Sequence, residues 1–143
     1  MKVTTVMTAA LALTAAAIGL ANPAHATTGY QFTSPNGSIA CSMSQDPDGD
    51  GRVACEIRDY IFNPVPCPSE LVGDRFVLAQ GEPARLKCRS ATMVDPSLPA
   101  LSYEQPRNVG LIDCVVLPGN SVECIDRATD HYFRIFSDHY EVG

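Results

Sequence analysis

The chain has 143 residues, 45% of them hydrophobic, with ten Lys and Arg against sixteen Asp and Glu and a formal net charge of −6. The apolar content excludes a disordered chain, and an acidic surface repels the phosphates of nucleic acid and anionic lipid headgroups, so neither is an expected partner. At the N-terminus, Lys2 precedes an apolar, alanine-rich run over residues 6–21. Pro23 ends the run, and Ala24-His25-Ala26 supplies the small-x-small pattern of a secretory cleavage site. The run is short for a membrane span and lacks a positive stop-transfer flank. Residues 1–26 therefore read as a cleaved signal peptide and residues 27–143 as a single secreted β domain, extracellular or associated with the cell wall, with no span once the signal is gone. Loss of Lys2 takes the net charge from −6 to −7.

The first strand-like piece is residues 30–32, leading into the turn Ser34-Pro35-Asn36-Gly37. Ile39-x-Cys41-x-Met43 and Val53-x-Cys55-x-Ile57 then alternate with period two, as half-buried strands do. With Cys41 opposite Cys55, Ile39 faces Ile57 and Met43 faces Val53, so all six apolar side chains share a face; a one-residue slip would scatter them. The midpoint of this hairpin is Asp48, in Asp46-Pro47-Asp48-Gly49-Asp50-Gly51. Asn63-Pro64-Val65-Pro66-Cys67-Pro68 is extended by its alternating prolines, and Ser69-Glu70-Leu71-Val72 reads as one short helical turn before Gly73. Residues 75–79 form the next strand, Gly81-Glu82-Pro83 a turn, and residues 84–88 lead to Cys88.

The second half repeats the hairpin logic. With Cys114 opposite Cys124, Val116 faces Val122 and the midpoint is Gly119, in the turn Pro118-Gly119-Asn120. Ile112 would then face Asp126, an apolar–charged mismatch that marks the place where these strands part. Residues 132–136, aromatic and β-branched, form a last strand. All six cysteines lie beyond residue 26, no CxxC occurs, and an even count in an exported chain indicates disulfides rather than zinc or free thiols. Cys67 pairs with Cys88 by elimination. The spacing predicts an all-β fold, a small disulfide-bridged antiparallel barrel or sandwich of about seven or eight short strands. The two cystine hairpins look alike, as an internal duplication or simply two bridged hairpins would.

Three stretches together carry a family resemblance. Residues 32–41, FTSPNGSIAC, are similar to an F-x-S-P-S/N-G-N-I-x-C opening; Val53-Ala54-Cys55-Glu56-Ile57 resembles V-x-C-E-I; and residues 129–136 with Tyr140 resemble a T-G-H-G-F-x-L-S-R-x-x-Y ending. The set resembles a family of small, six-cysteine secreted proteins of mycobacteria and related actinobacteria. Across nearly all of residues 27–143 the resemblance implies export, bridges and a β fold, and it brings no catalytic residues with it. Asp130 and Tyr132 depart from the family's glycines, and Leu98-Pro99-Ala100-Leu101 stands where the family has L-P-Y-G.

Asp46, Asp48 and Asp50 match the first positions of a calcium loop, but Ile57 stands where the bidentate glutamate belongs, and Asp and Gly are equally what a hairpin tip requires. Asp-His-Tyr occurs twice, at residues 130–132 and 138–140, so His131 and His139 could serve a metal or acid–base site with carboxylate partners; adjacent strand residues point to opposite faces, which places Asp130 badly to orient His131. Arg134, between aromatics, suits stacking or a carboxylate partner. No GxSxG and no free cysteine supply a nucleophile. Together these residues indicate a secreted, non-enzymatic binding or interaction protein needing no cofactor, with an extracellular protein or envelope component as partner. The alternatives are a small secreted hydrolase using His131 and His139, and a module weakly stabilised by calcium.

Overall fold

The computed structural model describes residues 29–143, so the signal peptide read at residues 1–26 lies outside the described residues. Period-two patterning makes strands of much of this chain: β1 (Gly29–Thr33), β2 (Ile39–Gln45), β3 (Gly51–Ile57), β4 (Val72–Ala79), β5 (Arg85–Arg89), β6 (Arg107–Val109), β7 (Ile112–Leu117), β8 (Ser121–Asp126), β9 (Tyr132–Ile135) and β10 (Tyr140–Val142). They make two antiparallel five-stranded sheets, ordered β1-β2-β3-β4-β5 and β10-β9-β8-β7-β6. Each sheet is a meander with one plan: an opening strand, a disulfide-bridged hairpin, then two further strands. The count exceeds the expected seven or eight because β6 and β10 have three residues each, too few to show a period of their own.

The sheets do not close into a barrel. They face each other as a sandwich, and their inner faces merge in one core. The first sheet contributes Phe32, Met43, Val53, Phe76 and Leu78, and the second Ile112, Val116, Val122, Phe133 and Ile135, all buried. The β2–β3 register pairs Ile39 with Ile57, Cys41 with Cys55 and Met43 with Val53, as the shared apolar face requires. Cys41–Cys55 and Cys114–Cys124 join directly opposed residues whose Cα atoms stand 4.1 Å apart, and both lie buried in the core. Cys67–Cys88 ties the proline-rich segment to β5, with Cys88 exposed.

Two local expectations need correcting. Residues 69–72 form a turn rather than a helical turn: the Leu71 N–H donates to the Pro68 carbonyl, Glu70 adopts a φ of 66°, and Val72 already opens β4. A register shift between Val72 and Arg75 interrupts the alternation there, which hid the first residues of β4. Nor do β7 and β8 part at Ile112: the ladder continues through Ile112 opposite Asp126, and that aspartate is fully buried.

The two sheets come into backbone contact where β3 passes β6. A Cβ built on Gly51 would lie 2.1 Å from the Val109 carbonyl oxygen, backbone against backbone, so no side-chain rotation can relieve it. Gly51→Ala is expected to cost about 1–3 kcal/mol by forcing β6 outward, read as a lower denaturant midpoint at unchanged slope.

Candidate functional site

The aspartate-rich tip between β2 and β3 is organised by its own backbone. One Asp46 carboxylate oxygen accepts the N–H groups of Asp48 (3.0 Å) and Asp50 (2.9 Å), and Gly49 turns the chain with a φ of 94°. The Asp50 carboxylate accepts from the Gln80 side chain at 2.8 Å. Two of the three carboxylates are therefore engaged in turn and loop contacts, and no group of three or more potential metal-ligating side chains occurs among the described residues. Millimolar calcium is expected to leave the melting temperature unchanged; a rise of several degrees would mean that the tip rearranges around the ion.

The two histidines occupy opposite ends of the β9–β10 hairpin. His131 precedes β9, while the His139 carbonyl accepts the Phe136 N–H in the turn. Five residue steps separate positions 131 and 136, about 17 Å along a strand. His139 stacks on Phe136 and pairs with Asp138 at 2.8 Å, which holds the Asp138 carboxyl below its usual range. Asp130 sits in a turn with a φ of 62° and donates its N–H to the Asp126 carbonyl. Arg134, on β9, bridges Glu123 of β8 and Glu141 of β10 across one face of the second sheet. These residues are spent on cross-strand and turn contacts rather than gathered around a shared space.

A further polar network centres on a buried glutamate of β3. Glu56, fully buried, lies opposite Arg75 and takes its guanidinium on Oε1 at 2.6–2.7 Å. Its Oε2 accepts the Thr92 hydroxyl (2.9 Å) and the Met93 N–H (2.8 Å), fastening the connection after β5 over the outer face of the first sheet. Arg89 continues the chain to buried Asp74 through two hydrogen bonds. Burial, with Asp74 beside it, pushes the Tyr60 phenol up. A single glutamate on an alternating strand gives no sign that a later loop will cover it, so spacing alone could not find this network.

Asp126 clasps the two sheets. It accepts the N–H of Gly81, at the turn between β4 and β5, at 2.7 Å, and also the Ala128 N–H and the Thr129 hydroxyl at 2.9 Å each. Burial alone would raise its pKa, but these hydrogen bonds and the nearby His131 together hold it below the usual range. A depressed carboxylate stabilises the fold above its unfolded pKa and loses that contribution as pH falls through the folded value. Acid is therefore expected to destabilise the protein progressively below about pH 4, and Asp126→Asn should flatten the melting temperature against pH in that window while lowering it near neutrality.

Among the described residues, a concave surface lies at the β1 edge of the first sheet. The connection between β5 and β6 comes alongside β1 and pairs with it in parallel at one point: Thr33 donates its N–H to the Pro99 carbonyl and accepts the Leu101 N–H, both at 2.9 Å. Upstream of that bridge the segment bends away through the turn in which the Leu98 N–H donates to the Asp95 carbonyl. Two cavities flank the edge there. One, of about 420 Å³, lies between Gln31 and residues 92–98 on the outer side of the sheet. The other, of about 150 Å³, is lined by Tyr30, Phe32, Leu101 and Arg107 on the core side. No histidine or cysteine lines either one, and Asp95 is the sole carboxylate in the pair. The signal that could have located this site is the L-P-A-L stretch itself, whose proline suits an edge.

Compared with protein-family models, curated proteins and solved structures, the chain matches none.

Proposed function

We propose that this chain is an exported, non-enzymatic binding protein, carrying a signal peptide in residues 1–26 and resembling the six-cysteine secreted proteins of actinobacteria. Its ligand is an extracellular protein or an envelope component. The observation that carries the reading is the cleft at the β1 edge: a concavity lined by apolar side chains, the Gln31 amide, the Asp95 carboxylate and the Arg107 guanidinium, on a scaffold held by three disulfides. Such surroundings favour recognition, since proton transfer needs an acid and a base converging on one point. Export is supported by the bridges, which persist in oxidising surroundings.

The test immobilises the domain of residues 27–143 and challenges it with fractionated extracellular protein and envelope material. One component is expected to be retained saturably, to be displaced by the free domain, and to elute chemically unchanged. Turnover of that component, lost in His131→Ala and His139→Ala chains that still fold, overturns the binding reading in favour of hydrolysis.

A further inference from the structure

The cleft has a feature that narrows its occupant. In an antiparallel ladder, alternate residues direct both backbone N–H and C=O away from the partner strand. Thr33 does so on β1, since both groups reach the segment at residues 99–101. By the same alternation Gln31 and Gly29, two and four residues earlier, direct theirs outward, and among the described residues the parallel bridge to that segment ends at Thr33. The open backbone of Gln31 thus lies between the two cavities, and Gln31 lines both.

An extended chain added at this edge would present consecutive side chains to opposite faces of the sheet. One would enter the larger outer cavity, whose wall carries Asp95. The Ser97 N–H donates to the Asp95 carboxylate at 2.8 Å and holds that carboxyl below its usual range. The next would enter the smaller cavity among Tyr30, Phe32 and Leu101, with Arg107 at its wall, where an aromatic ring meets both apolar surface and a guanidinium. Tyr30 is 42% exposed, an aromatic left uncovered beside this space.

We infer that the β1 edge is a strand-addition site for an extended peptide segment of a partner protein, in which a basic residue is followed or preceded directly by an aromatic one. This rests on the binding role proposed above and specifies its ligand. The overall negative charge acts in the same direction, drawing basic segments toward the surface.

The probe is a capped heptapeptide, Thr-Thr-Thr-Lys-Phe-Thr-Thr, with controls in which Glu replaces Lys or Ala replaces Phe. The Lys-Phe peptide is expected to bind about tenfold more tightly than either control, and to slow hydrogen exchange at the Gln31 amide. Gln31→Pro removes an outward donor and no bond to β2, so the variant keeps its fold and should lose the peptide about tenfold or more. Asp95→Asn keeps an acceptor for Ser97 and should lose the discrimination between Lys and Glu. Equal binding of all three peptides, protection at another edge, or unchanged binding by Gln31→Pro overturns the proposal, as does self-association of the wild type that Gln31→Pro abolishes, which would make the occupant a second copy. The fraction-retention assay on the same variant separates the two readings. Undiminished retention by Gln31→Pro overturns the edge site and leaves the binding role standing, whereas loss of retention together with loss of the peptide supports it.

Discussion

Replacing Glu56 by alanine is expected to cost about 3 kcal/mol, at the low end of what breaking a buried ion pair costs. The low end applies because Arg75 keeps 31% of its side chain exposed and can be partly rehydrated, while Glu56 itself is fully buried. The loss has a local signature. The carboxylate is the anchor for Thr92 and Met93, so its removal frees the connection that forms one wall of the β1-edge cleft. Hydrogen exchange at Met93 should accelerate well beyond the global change in stability. Glu56→Gln, which keeps an acceptor for the Met93 N–H, should hold this segment better than Glu56→Ala at a similar loss of ion pairing. A Glu56→Ala chain as stable as the wild type, with Met93 still protected, would show that the network contributes nothing.

The disulfides carry the second large effect. Each bridge closes a loop of 10–21 residues, and in the chain-entropy view each contributes about 3 kcal/mol by constraining the unfolded state. Three such contributions rival the whole stability of a small domain, about 5–15 kcal/mol. Complete reduction is therefore expected to unfold the protein or nearly so, read as loss of β-sheet circular dichroism. The order of reduction follows access. Cys88 is exposed and Cys67 half-buried, whereas both hairpin bridges lie within the core. Mild reductant followed by alkylation and peptide mapping should label Cys67 and Cys88 first, with the sandwich still folded. Simultaneous labelling of all six cysteines would show that opening the outer bridge already unfolds the core.

Much of this architecture is written in side-chain alternation. The hairpins around Cys41–Cys55 and Cys114–Cys124 could be placed to the residue because each has a single register that gathers its apolar side chains on one face. Asp126 shows where the same logic misleads. An aspartate opposite Ile112 looked like the end of a ladder, yet it is retained in the interior because the Gly81 N–H, 45 positions away, meets it there. Gln80 is a comparable case: its side-chain oxygen accepts the Gly51 and Leu111 N–H groups and its amide reaches Asp50, so one residue ties three loops together. The candidate site was less legible for the same reason. His131, His139, Arg134 and the aspartates of the tip attract notice by their chemistry, whereas the cleft depends on where residues 92–101 travel, and that course is set by Glu56 and Thr33, which lie 36 and more positions earlier.

The meander order of both sheets bears on how the molecule reaches its native state. Every strand in each sheet is hydrogen-bonded to its neighbour in sequence, and no crossover intervenes. Most of the search for partners is therefore local, and a β protein assembled this way is expected to fold at the fast end of its class. On the export proposed above, a chain arriving unfolded would close each meander within itself before the two halves dock, leaving little time for its exposed strand edges to meet those of another molecule.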